Sequence, residues 1–150
     1  MTTTSKPLVT EDSESCIEAA DENHVALLYV ADPVPASRPR VSKWGTYYSG
    51  KYKEYLRHSQ AALPKAAFPL EGDLELDLEF VAVRPKTTKR SNPRGDIDNY
   101  AKAIMDTITK LGYWNDDDQV VTATMHKRFA EAEEVPHTRV TINGISESKT

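Results

Sequence analysis

The stretch DLELDLEFVAV (73–83) alternates strictly, with Leu74, Leu76, Leu78, Phe80 and Ala82 on one side and acids on the other as far as Glu79. That period of two predicts a strand buried on one face. HVALLYVAD (24–32) reads as an earlier strand, and Val120–Phe129 and Thr138–Ile142 as two later ones. Two segments carry helical spacing instead. KYKEYLRHSQAAL (51–63) places Tyr52, Tyr55, Leu56 and Leu63 along one side and stops before Pro64 and Pro69. Asn99 to Lys110 places Ala101, Ile104, Met105, Ile108 and then Leu111 on one stripe, with Gly112 as its C-terminal stop. Between these elements lie a long Pro-, Gly- and aromatic-containing loop (33–50) and a shorter loop from Arg84 to Arg94 with two prolines. No internal repeat interrupts the order.

Charge changes this picture. The net charge of −4 hides a strong segregation. Residues 1–22 hold six acids against Lys6 alone, a charge of −5 that leaves +1 for residues 23–150. This Thr/Ser/Glu-rich stretch, nearly without aromatics, predicts a disordered acidic tail. Arg38 to Arg57 contains six basic residues and one acid, Glu54, and Arg84 to Arg94 contains five basic residues and no acid. Against them stands Arg94–Val121, with six aspartates and three basic residues. Two like charges ~4 Å apart repel by roughly 4 kcal/mol at an effective dielectric of 20. Such a concentration is therefore either spread over a wet surface or held by something positive. A phosphate backbone approaching a divalent cation needs this layout of cations beside carboxylates.

Length and composition bound the rest. A chain of 150 residues with 39% hydrophobic and 28% charged residues suits one domain with one core. No apolar run approaches the ~20 residues of a membrane helix, and the N-terminus lacks a signal-peptide segment. The single Cys16 excludes an internal disulfide and a multi-cysteine metal site, and its polar surroundings mark a bystander thiol. A reducing intracellular setting fits the absence of disulfide pairs.

Within the acidic stretch, Asp98, Lys102 and Asp106 fall at i, i+4 and i+8 and form a line along the helix. Asp98 reads either as a helix cap or, with Asp96 two residues earlier in extended chain, as one of two parallel carboxylates. WNDDDQVV reads either as a polar turn or as a second acidic cluster. An EF-hand is excluded, because the Asp-x-Asp-x-Asp-Gly pattern and its terminal glutamate are missing. Lys102 alone reads as a salt bridge to Asp98 or Asp106.

GDIDNYAKAIMDTITKLGYWNDDDQVV resembles the Holliday-junction resolvases of the RusA type. Their pattern Asp-x-Asp-Asn-Leu-x-Lys, then Asp-Ala-Leu, then Trp-x-Asp-Asp-x-Gln-Val falls on Asp96, Asp98, Asn99, Lys102, Asp106, Trp114, Asp116, Asp117 and Gln119. The upstream VPASRPRVSKWGTYYSGKYKEY is similar to the Arg-Pro-Arg segment of phage and prophage members. The resemblance covers roughly residues 25–142. Tyr100 stands where the family usually carries leucine, and Asp118 at a position that varies.

The resemblance implies an α+β domain over residues 23–145, with a mixed sheet of about four strands packed with two helices; residues 1–22, which have no counterpart in the family, and 146–150 are expected to be disordered. It implies a homodimeric, magnesium-dependent endodeoxyribonuclease acting on four-way junctions and other branched DNA, with Mn²⁺ able to substitute. Asp96, Asp98 and Asp117 would be the catalytic carboxylates holding the metal, Asp116 a helper ligand, and Lys102 the essential lysine. Asn99 and Asp106 would support them from behind, Asn99 reading also as a cap. Arg38, Arg40, Lys43, Lys86, Lys89, Arg90 and Arg94 would grip the DNA backbone, and Trp44, Tyr47 and Tyr48 would stack on bases or pack in the core. At least two of His126, Lys127 and Arg128 read as exposed strand charges, and His24, His58 and His137 as ordinary. Two rivals are a branched-DNA binder without catalysis, disfavoured by the intact acidic and lysine set, and a phosphoesterase for small phosphates, disfavoured by the long basic loops.

Overall fold

The computed structural model describes residues 8–36, 40–43, 45–47 and 50–145. Its elements run β1 (Cys16–Asp21), β2 (His24–Tyr29), β3 (Arg40–Ser42), β4 (Gly45–Tyr47), α1 (Gly50–Ala62), β5 (Leu74–Ala82), α2 (Ile97–Leu111), β6 (Val120–Phe129) and β7 (His137–Gly144). Five strands form one sheet in the order β1-β2-β7-β5-β6, while β3 and β4 make a separate two-stranded ribbon within the long loop. β5 and β6 are parallel, and every other pair in the large sheet is antiparallel. The sheet is therefore mixed and the fold α+β, with five strands rather than four.

β5 lies between β7 and β6, which explains its pattern. Leu74, Leu76, Leu78 and Phe80 are fully buried, and the intervening acids are wetter. The core they enter includes Ala101, Ile104, Ile108 and Leu111 of α2 and Tyr52, Tyr55 and Leu63 on or next to α1. Met105 sits at its margin. Gly112 ends α2 in the left-handed conformation (φ 84°), where a residue without Cβ carries no steric penalty. The helices are cross-linked by a buried Ser59–Thr107 hydroxyl pair at 2.7 Å. A parallel β5–β6 pair requires a crossover, and α2 supplies it.

The N-terminal segment departs from the disordered tail that its composition predicts. Cys16–Asp21 pairs with β2 as the sheet's outer strand. Val9 is buried, and its carbonyl accepts from the Val135 N–H at 3.0 Å. Glu18 holds the buried Arg139 guanidinium through two contacts of 3.1 Å. An edge strand is held by backbone hydrogen bonds, which any side chains permit, so low hydrophobicity did not announce it. All six of its residues are exposed. Residues 1–7 and 146–150, also expected to be disordered, lie outside the described residues.

Candidate active site

The acidic line begins where β5 hands over to α2. Asp96 is the N-cap of α2 in extended conformation, and its side chain makes no capping hydrogen bond. Asp98 lies inside the first turn, so the capping reading of Asp98 falls. Both carboxylates are exposed, with no hydrogen-bond or ion-pair partner among the described residues. They sit at the helix's positive end, which favours negative charge. Gly95 makes the sharp approach possible. Its φ is 108°, and a Cβ there would lie 3.2 Å from the Tyr100 ring and 3.4 Å from Pro35. Tyr100 holds the same turn by donating to the Arg94 carbonyl at 2.6 Å.

The second cluster is built by its flanks. Trp114 is buried and donates its indole N–H to Thr109 Oγ1 at 2.6 Å. Gln119 closes the other side: its amide donates to the carbonyls of Leu70 (3.0 Å) and Gly72 (2.9 Å), and its Oε1 accepts from the N–H groups of Asn115 and Asp116. Asp116 caps a single 3₁₀ turn (Asp117–Gln119), accepting from the Asp118 N–H at 3.1 Å. Trp114 and Gln119 are thus anchors that present Asp116 and Asp117 to solvent.

Lys102 and Asp106 lie against the second cluster. Their side chains are 3.5 Å apart, and the Tyr52 hydroxyl reaches across from α1 to donate to the same Asp106 oxygen at 2.6 Å. The Asp117 carboxyl is pushed above its usual range, first by burial, then by its hydrogen bond with Asp116 and by the charges of Asp116 and Asp106, with Lys102 opposing. This corner gathers more negative charge than it neutralises, and its donors are hard carboxylate oxygens. Both properties fit a divalent cation that keeps several waters.

Asp98 and Asp106 are two turns apart, about 12 Å at 1.5 Å per residue. Among the described residues no three His, Cys, Asp or Glu side chains converge as a metal-holding group. Asn99 contributes backbone: its carbonyl accepts from the Ala36 N–H at 2.8 Å, tying the long loop to the start of α2.

Lys86, Lys89, Arg90 and Arg94 are exposed on the β5–α2 loop, and Lys43 is exposed at the β3–β4 turn. The Arg90 guanidinium is steadied by the Asn92 carbonyl and side chain. Arg40 opens β3. Arg38, Trp44 and Tyr48 lie outside the described residues.

Only His126 of the three basic residues on β6 is exposed, where at least two exposed strand charges are expected. Lys127 Nζ donates to the carbonyls of Pro93 (2.8 Å) and Gly95 (2.6 Å), fastening β6 to the turn that carries Asp96. Arg128 forms a two-point pair with Glu134 at 2.7 and 2.8 Å. His126 is exposed as expected. The role of Lys127 left no mark in the sequence, because its partners are backbone carbonyls more than thirty residues away.

No helix among the described residues is long and apolar enough to cross a membrane. A search of curated proteins returns no match. The family profile described as endodeoxyribonuclease RusA matches residues 31–143, a span that contains α2, both acidic clusters and the basic β5–α2 loop. The chain belongs to the RusA endodeoxyribonuclease family.

Proposed function

We propose that this endodeoxyribonuclease is magnesium-dependent and structure-selective, resolving Holliday junctions and related branched DNA as a homodimer. What supports the reading is the family match together with the motif residues Asp96, Asp98, Lys102, Asp106, Asp116 and Asp117, carried by α2 and the turn that follows it. Asp96, Asp98 and Asp117, helped by Asp116, would hold Mg²⁺, with Mn²⁺ as a substitute. The bound cation supplies Lewis acidity toward the phosphate and a lower pKa for water. Lys102, more than half exposed at its side chain and paired with Asp106, would stabilise phosphate oxygens or give a proton to the leaving 3′ oxygen. Asn99 and Asp106 support these groups through the loop and the lysine. Arg38, Arg40, Lys43, Lys86, Lys89, Arg90 and Arg94 would neutralise the DNA backbone and set its register. A twofold dimer matches the two equivalent strands of a four-way junction.

The test compares a four-way junction, a linear duplex and p-nitrophenyl phosphate, each with Mg²⁺ and with EDTA. Symmetric cleavage of the junction alone, and only with the metal, is expected. Hydrolysis of p-nitrophenyl phosphate in preference to DNA would instead mark a small-phosphate esterase. Tight junction binding without cleavage under any divalent metal would mark a binding protein. Sedimentation equilibrium with and without junction reads the dimer.

A further inference from the structure

A cleft of about 940 Å³ opens on the side of the Asp96 turn, and neither acidic cluster lines it. Its chemistry is divided. Lys51, Lys89 and Arg94 bring positive charge to its walls, and none of the three has an acidic partner among the described residues. Asp32 is the acid in the lining, and it accepts from the Val83 N–H at 3.0 Å. The apolar part is equally distinctive. Val83 leaves the end of β5 with 50% of its surface exposed and faces the cleft together with Pro35 and Pro85. A large aliphatic side chain left open beside unpaired cations suits a ligand that is flat and apolar at one end and anionic at the other.

Size decides which part of a DNA substrate has that form. The cleft corresponds to a cube about 10 Å on edge, within the range of pockets that enclose one small molecule. A B-form duplex, whose two grooves alone are roughly 12 and 6 Å wide, does not enter. A single unpaired nucleotide does. Drawing a base out of a duplex costs a few kcal/mol and least where it is already unpaired. Position agrees as well: Pro93, Arg94 and Tyr100 line the cleft and flank Gly95 and Asp96, so an occupant would sit next to the first carboxylates of the catalytic line.

We infer that this cleft binds one unpaired nucleotide of the DNA substrate, the base against Val83, Pro35 and Pro85 and the phosphates against Lys51, Lys89 and Arg94. The inference rests on the nuclease reading for its substrate. It gives that reading a source of branch selectivity separate from the cutting residues, since a base pair at a branch point lacks one continuous stack and releases its nucleotide at lower cost than a pair inside a duplex.

The test is binding in EDTA, where no cleavage occurs, at one fixed salt concentration. Three DNAs of equal length are compared: a paired duplex, the same duplex with a three-nucleotide bulge, and the bulge built from abasic nucleotides. Wild-type protein is expected to bind the bulge at least tenfold more tightly than the paired duplex, and the abasic bulge to lose most of that gain. The double variant Lys51→Ala, Val83→Ser alters two exposed side chains. It should lose the preference for the bulge while keeping its affinity for the paired duplex within about twofold. Equal weakening on all three DNAs would overturn the inference, as would wild-type protein that does not distinguish bulge from abasic bulge. Junction cleavage by such a protein in Mg²⁺ would sink the cleft and leave the nuclease standing; no binding to any DNA would sink both.

Discussion

The Tyr52 hydroxyl of α1 donates a 2.6 Å hydrogen bond to Asp106 Oδ2 of α2, the same oxygen that faces Lys102 Nζ at 3.5 Å. A buried side chain far from the motif thereby fixes the orientation of a carboxylate, and the carboxylate fixes the lysine. Tyr52→Phe keeps the ring in the core and removes the hydroxyl that makes this bond. A hydrogen bond to a charged group contributes roughly 1.5–3 kcal/mol, so chemical denaturation should show a loss at or below that size. If Lys102 acts on the phosphate, kcat should fall about tenfold while junction affinity stays unchanged. A drop in stability with unaltered kcat would assign Tyr52 to helix packing alone.

Asp98→Asn and Asp117→Asn should each reduce junction cleavage by more than about a hundredfold, consistent with the several kcal/mol that charge stabilisation by a cation supplies. Junction binding in EDTA should persist or tighten, because each change removes one repulsive charge. Asp118→Asn should retain most activity, since what Asp118 gives the turn is its backbone N–H, donated to Asp116. Wild-type cleavage by Asp98→Asn would remove that residue from the metal set.

Much of this architecture was legible because it rests on periodicity. β5, both helices, the Gly112 stop and the start and end of β6 follow from apolar spacing and caps. The candidate site was legible as a motif, yet its supports were not. Gln119 works through backbone carbonyls at residues 70 and 72, and Lys127 through those at 93 and 95; neither contact leaves a pattern along the chain. Composition misleads most clearly at β1, a segment that backbone pairing holds.

The Arg128–Glu134 pair sets an acid limit on stability. The two hydrogen bonds from Arg128 hold the Glu134 carboxyl down at about 2. A carboxylate depressed in the folded state contributes fully above its unfolded value near 4.5 and loses that contribution as pH falls toward 2. Thermal melts should therefore steepen their decline below pH 4.5, and Glu134→Gln should flatten the decline while lowering stability at pH 7. Identical pH profiles for both proteins would show that the pair contributes nothing.

Glu18→Gln tests whether the N-terminal strand matters to the fold. Arg139 is only 7% exposed, and Glu18 supplies its carboxylate partner. Removing the charge takes a carboxylate away from a buried guanidinium. A loss of roughly 1.5–3 kcal/mol is expected from the charged hydrogen bonds, read by urea denaturation, with junction affinity unmoved because β1 and β6 are opposite edges of the sheet. Unchanged stability would return residues 16–21 to the role of a loose tail.

The stretch that carries the family's signature is shorter than the piece that can fold. The match begins at residue 31, after β1 and β2 have already been laid down. A protein trimmed to that boundary would lose Val25, Leu27 and Tyr29 from the core and the Tyr29–Tyr55 edge-to-face contact. It would also turn β7 from an interior strand into an open border whose free N–H and C=O groups recruit other chains. Cutting at the border of recognition would thus yield a protein with all its candidate cutting residues and a strong tendency to aggregate.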